Sequence, residues 1–137
     1  MPSNREIVAA AFAAWQSGSR HVSDIFADTM RWEIVGNCDA AGQYPNAKAF
    51  QDEVLAPFAA RFSKTAPFLP TNVRGIYADD SQDTVVVIWD GRGTTTAGTS
   101  YENTYAWVFK FANGKVVEGT AFFDSIAFNE LWRSVQV

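Results

Sequence analysis

Three carboxylates stand where strands end or turn: Glu33 in RWEIVG, Asp90 in VIWDGRG and Asp124 in AFFDSIAF. A carboxylate against a dry, apolar surface has its pKa raised toward neutrality, where general acid/base catalysis is most effective. Each is therefore a candidate catalytic residue for proton transfer, and each has an ordinary role beside it. Alternation along a strand sets Trp32 and Ile34 on one face and Glu33 on the other, so Glu33 faces either a pocket or solvent. Asp90 precedes Gly91, where aspartate commonly opens a turn. Asp124 precedes a helical pattern and is well placed as its N-cap.

A second chemical signal is a face of alternating residues. Tyr101, Asn103, Tyr105, Trp107, Phe109 and Phe111 alternate with smaller or more polar neighbours over one long stretch. Packing against helices or a dimer mate would explain the rings. Asn103 asks for more, because a buried amide without a partner costs about 1–3 kcal/mol. A ligand or water in a cavity would supply that partner. We expect this face, with Trp15, Trp32 and Phe123, to bound a pocket for a small, largely apolar molecule. Asn103 and Tyr105 would orient a polar group of the ligand, and Trp107 and Phe123 would form apolar walls.

Other chemistries lack their residues. Cys38 is the only cysteine and His21 the only histidine, so no disulfide within the chain and no Cys/His zinc cluster can be built. No metal or cofactor is expected. Cys38 reads as an incidental thiol in a polar loop, and His21 as a solvated side chain near a helix start. GRGTTTAGTS at 91–100 spaces two glycines as a phosphate loop does, but Thr99 stands where the lysine belongs and a strand follows. No G-x-S-x-G elbow is present.

The elements that must position these groups read as helices followed by strands. The 137 residues suit a single domain, 1–137. A net charge of −4 disfavours nucleic acid as a partner. No apolar run reaches the length of a spanning helix and the N-terminus does not read as a signal peptide, so no membrane partner and a cytoplasmic location are expected. Ser3 and Glu6 form a capping box ahead of Val8, Phe12 and Trp15 at helical spacing. Val22, Ile25 and Phe26 suggest a short helix, and Met30 to Val35 a brief strand. Asn46 can cap a third helix bearing Phe50, Val54 and Phe58, with a kink expected at Pro57. From Val73 the period becomes two. Val73–Ala78 pairs with the β-branched run Thr84–Trp89, Tyr101–Phe111 is a long strand, and Asn113-Gly114 turns the chain into Lys115–Phe123. A terminal helix follows Ser125. Helices first and a meander of strands afterwards mean α+β, with helices on one side of a curved antiparallel sheet. Val85, Val87, Trp89 or their neighbours would need cover outside, which predicts a homodimer across the outer face.

The strands RWEIVG and GTSYENTYAWVFKF, followed by the hairpin ANGKVVEGTAFFDSIAF, resemble the nuclear-transport-factor-2-like superfamily in its ketosteroid-isomerase and SnoaL-like branch. The resemblance covers nearly the whole chain. It implies a cone-shaped, cystatin-like α+β barrel, a sheet wrapped around N-terminal helices with an apolar pocket at the open end and homodimers through the outer sheet. It also implies cofactor-independent isomerases, polyketide cyclases, epoxide hydrolases or non-catalytic members. By this resemblance Glu33 matches the isomerase's base, while its oxyanion donors fall near Ala11 and Trp107, of which only the Trp107 indole can donate. The epoxide hydrolase relay would place Asp90 at one aspartate but Ile88 and Ala121 at its other two positions. Asp124 is the nearest match to the cyclases' acid/base aspartate. Two functions follow: an enzyme using a carboxylate, or a non-catalytic ligand-binding or protein-association domain.

Overall fold

The computed structural model describes residues 2–137. Helix α1 (Asn4–Gln16) starts at the expected capping box, with the Glu6 amide donating to Ser3 Oγ and the Ser3 amide donating to Glu6 Oε1. Its buried face is Val8, Phe12 and Trp15. The second helix is a single 3₁₀ turn, Val22–Ile25, and Phe26 already opens strand β1 (Phe26–Ile34). Strand β1 thus begins four residues before Met30, and a short strand β2 (Gly42–Tyr44) pairs with it where the sequence reads as loop.

Asn46 caps helix α2 (Ala47–Phe50), its side chain accepting from the Ala49 amide at 2.8 Å. The chain then passes through one π-turn, Gln51–Leu55, into α3 (Ala56–Ala60). Proline has no amide hydrogen and crowds the carbonyl four residues back, so Pro57 cannot sit in a regular helix here. Widening to five-residue bonding, in which the Ala56 amide reaches Gln51 O, carries the helix past it.

Strands β3 (Leu69–Asp79), β4 (Thr84–Thr94), β5 (Ser100–Ala112) and β6 (Lys115–Phe123) complete a six-stranded open sheet in the order β2-β1-β6-β5-β4-β3. Asn113 (φ 53°) and Gly114 (φ 78°) make the β5–β6 turn, both in the left-handed region that the Asn-Gly pair tolerates. All pairings are antiparallel except β1 with β6, which is parallel. Register shifts in β1–β6, β3–β4 and β5–β6 bend the sheet around the helices.

The continuous β-branched run of Thr84–Trp89 suggests a strand buried on both faces, but β4 alternates: Val85, Val87 and Trp89 are fully buried inside, whereas Val86 and Ile88 are half-buried outside. The outward residues are thus the neighbours Val86, Ile88, Ala106, Val108 and Phe122, adjacent across the β4–β5–β6 ladder. Helix α4 (Ser125–Ser134) closes the open end, capped by Asp124, whose carboxylate accepts from the Ile126 amide at 2.9 Å. Arg61 ties α3 to α4. Its buried guanidinium donates to Pro57 O and Trp132 O and lies 3.9 Å above the Trp132 ring.

Candidate binding cavity

Between α1, the α2–α3 segment, α4 and the concave sheet lies a cavity of about 120 Å³. Each element gives it side chains for a local reason. The buried stripe of α1 ends at Trp15, and the α2–α3 stripe contributes Phe50, Val54, Leu55 and Phe58. Inward strand positions contribute Trp32 and Ile34 from β1, Trp89 from β4, Tyr105 and Trp107 from β5, and Ala121 and Phe123 from β6. Phe68 and Phe128 complete the wall, with His21, Ala59 and Pro67. No carboxylate or amide side chain is among the lining residues.

The rings are ordered in two stacks about a central indole. Trp32 stacks on Phe50 (4.5 Å, 15°) and Trp89 on Tyr105 (4.4 Å, 13°). Trp107 meets Trp32 and Trp89 edge to face at 5.1 and 4.9 Å, the geometry aromatic quadrupoles favour. Glycines make the space. A side chain at Gly119 would collide with the Trp32 ring, and one at Gly93 would come within 2.6 Å of Phe62 Cδ1. Of the two glycines spaced as in a phosphate loop, Gly93 thus admits Phe62, as its neighbour Gly91 admits Phe68, whereas Gly98 (φ 83°) meets no side chain.

The polar atoms of the walls are few and specific. The indole N–H groups of Trp32, Trp89 and Trp107 are buried with no acceptor among the described residues. Tyr105 Oη lies 2.9 Å from Tyr101 Oη, which accepts from Asn103 Nδ2 at 2.8 Å. The two phenols thus share one hydrogen bond, and the Tyr101 oxygen also takes the Asn103 amide proton. Burial pushes the Tyr101 phenol up to about 12 and the Tyr105 phenol well above its ordinary value. His21 sits exposed at the mouth with its ring 4.8 Å from Trp15. Its Nδ1 accepts from the Ser23 amide at 3.1 Å, so the neutral ring carries its proton on Nε2. Loss of surrounding water lowers its pKa, partly opposed by Asp24.

Of the expected pocket residues, Trp15, Trp32, Tyr105, Trp107 and Phe123 line this cavity. Tyr101 stands behind them against Phe58, Phe62 and Phe68. Asn103 is buried on the inward face but fully engaged by protein. It donates to Tyr101 Oη and Asp124 O and accepts from the Thr104 and Asp124 amides.

The three carboxylates point elsewhere. Glu33 is exposed on the outer face, in a surface groove with Arg31, Gln43 and Thr120. Asp90 is also outward, accepting from Arg74 Nε (3.0 Å), Asn72 Nδ2 and Thr104 Oγ1 (2.6 Å). Those donors, Arg74 first, hold its pKa below the usual value instead of raising it. Asp124 is exposed and caps α4. Sequence reasoning left out His21, Trp89 and the α2–α3 wall. The apolar stripe of Phe50, Val54 and Phe58 was the available signal for that wall. Among the described residues no three His, Cys, Asp or Glu side chains converge as metal ligands, and no helix is long and apolar enough to cross a membrane. Burial also raises the Cys38 thiol, which keeps it protonated.

Solved structures of NTF2-like and cystatin-like proteins superpose on this open, bent sheet around helices. An NTF2-like protein from Burkholderia thailandensis has a TM-score of 0.74 at 22% identity, covering 96% of this chain and 98% of the other. A putative SnoaL-like polyketide cyclase from Jannaschia sp. gives 0.68 at 19% identity over 93% and 90%. TerC, co-crystallised with polyporic acid, gives 0.72 at 19% identity over 95% and 98%. The family model of the SnoaL-like domain matches residues 8–119, and the chain belongs to that family. No curated protein matches the sequence at a significant level.

Proposed function

We propose that this chain binds a small, largely apolar molecule in the internal cavity and does so without general acid/base help from Glu33, Asp90 or Asp124. The observation that carries this is the wall itself: rings and aliphatic side chains on every side, with no carboxylate among them. Removing apolar surface from water supplies the affinity, at about 25 cal/mol per Å² buried. Proteins of this fold include one crystallised with polyporic acid, which supports a small organic ligand here. Of the two functions open from the sequence, the ligand-binding reading therefore leads, and proton chemistry at the cavity would fall to Tyr105 or His21.

The working unit we propose is a homodimer through the outer face, where Val86, Ile88, Ala106, Val108 and Phe122 (45% exposed) form one apolar patch. Light scattering at micromolar concentration should give twice the chain mass, and a monomer mass throughout would refute it. For the cavity, calorimetric titration with the hydrocarbon tetralin should show saturable binding to one site per chain. Ala59→Trp, at an exposed position on the rim, should block it without loss of folding. Tetralin binding that is absent, or unaffected by Ala59→Trp, would overturn the reading.

A further inference from the structure

His21 is the one group at the cavity that changes charge near neutral pH. Of the described lining residues only His21 and Tyr105 titrate, and burial keeps the Tyr105 phenol protonated. The imidazole stands at the mouth with its ring 4.8 Å from Trp15. It also caps the 3₁₀ turn Val22–Ile25, with Nδ1 accepting from the Ser23 amide at 3.1 Å and lying 2.9 Å from Ser23 Oγ. An imidazolium has no lone pair left to accept with. Protonation at Nδ1 thus breaks the cap: the new N–H turns to Ser23 Oγ, and the Ser23 amide loses its acceptor.

The surroundings of the ring favour its neutral form. The rest of the cavity wall is apolar, and loss of water lowers the imidazole pKa. Charged groups near it lie on one side only. Asp24 on the same turn favours the proton, but Arg20 Nη1 lies 3.7 Å from its carboxylate. Lys115 reaches the turn from β6 and donates to Asp24 O at 2.7 Å. The wall residues from α1, the α2–α3 segment, α4 and the strands carry no charge. A ligand filling the cavity takes water from the inner side of the ring, which penalises the imidazolium further.

We propose that His21 makes retention of an apolar ligand pH-dependent, the cavity holding its ligand while the imidazole is neutral and loosening its hold once Nδ1 takes up a proton. This rests on the cavity-binding reading and adds to it a condition for release. Linkage makes the effect reciprocal: binding expels a proton from His21, and mild acid weakens binding. The imidazole of the liganded chain is the harder to protonate. Affinity is therefore complete above the pKa of the free chain and falls as pH drops through it.

The chain has one histidine, so its Hε1 proton resonance reports His21 alone. Titration followed by NMR should give a pKa about one unit lower with saturating tetralin than without it, which corresponds to a limit of about tenfold in affinity. Calorimetry on the full chain should record that weakening as pH falls from about 8 to about 5, and buffers of different ionisation enthalpy should reveal the released proton. His21→Asn keeps an acceptor for the Ser23 amide, since asparagine is a favoured cap, and has no proton to gain. Tetralin affinity in that variant should be flat across the same range. A His21 pKa unchanged by tetralin, or a fall in affinity that persists in His21→Asn, would overturn the switch while leaving cavity binding intact. Failure of tetralin to bind at any pH would overturn both readings together.

Discussion

Replacing Asn103 with leucine separates two roles for the amide, holding a ligand or holding the protein. Leucine keeps the approximate volume and removes every polar contact. Asp124 N–H and Asp124 O lose partners at 3.3 and 3.1 Å, and the Thr104 amide loses one at 2.8 Å. Tyr101 loses its donor at 2.8 Å but keeps Tyr105. These groups are partly buried, so water recovers some of the loss, and each contributes about 0.5–1 kcal/mol. Leucine's own burial returns part of that total, which leaves a net cost of about 2 kcal/mol. For a chain of this size that is a fall in Tm of roughly 7 °C. Urea unfolding followed by tryptophan fluorescence measures the stability, and calorimetry with tetralin measures the site. The expected outcome is a shifted midpoint with tetralin affinity unchanged within about twofold, because Asn103 does not line the cavity. A stability loss below about 0.5 kcal/mol would refute the scaffold role, and a tenfold loss of affinity at unchanged stability would return Asn103 to the binding site.

Gly119→Ala should destabilise by about 1–3 kcal/mol, since the added methyl overlaps the Trp32 ring, as denaturant unfolding would record. In the folded chain Tyr101 and Tyr105 should remain protonated at about pH 11, so that Tyr105→Phe leaves the ultraviolet tyrosine titration unchanged up to that pH. Because both phenols are raised on folding, the stability they provide is fully present below about pH 10 and is lost as pH rises toward about 12. Asp90→Asn should cost less than about 1 kcal/mol at neutral pH. The Asp90 carboxyl is lowered on folding, so that difference should shrink as pH falls below its unfolded value near 4, measured by thermal unfolding across pH.

The strand framework was legible because its signals are local. The Asn113-Gly114 pair sets its turn through the φ values of two adjacent residues, and the period of Tyr101–Phe111 needs only the strand itself. The Ser3/Glu6 capping box is likewise complete within four residues. What stayed hidden depends on distant partners. Nothing near Glu33 in the chain says that the β1 face carrying Trp32 and Ile34 docks on Phe50, so the side taken by Glu33 was left open. The partner of Asn103 is the Asp124 backbone, 21 residues away and invisible to side-chain spacing. His21 reads as solvated because it is exposed, yet its ring edge borders the cavity through Trp15. The kink at Pro57 was legible as a disruption but not as a π-turn, since either answer relieves the missing amide hydrogen.

The parallel seam between β1 and β6 has a kinetic consequence. Its partners Arg31 and Glu118 are 87 positions apart, whereas β5 and β6 meet through a two-residue turn. Closing a loop of that length carries a large entropic cost before any contact compensates it, so the hairpins of β3 to β6 can assemble first and β1 must join afterwards. Trp32 arrives with β1, whereas Trp89 and Trp107 are already in place on β4 and β5. The ring that completes the cavity is thus delivered by the slowest pairing. During refolding the concave aromatic surface stands open to water, and to any ligand present, until the seam closes over it.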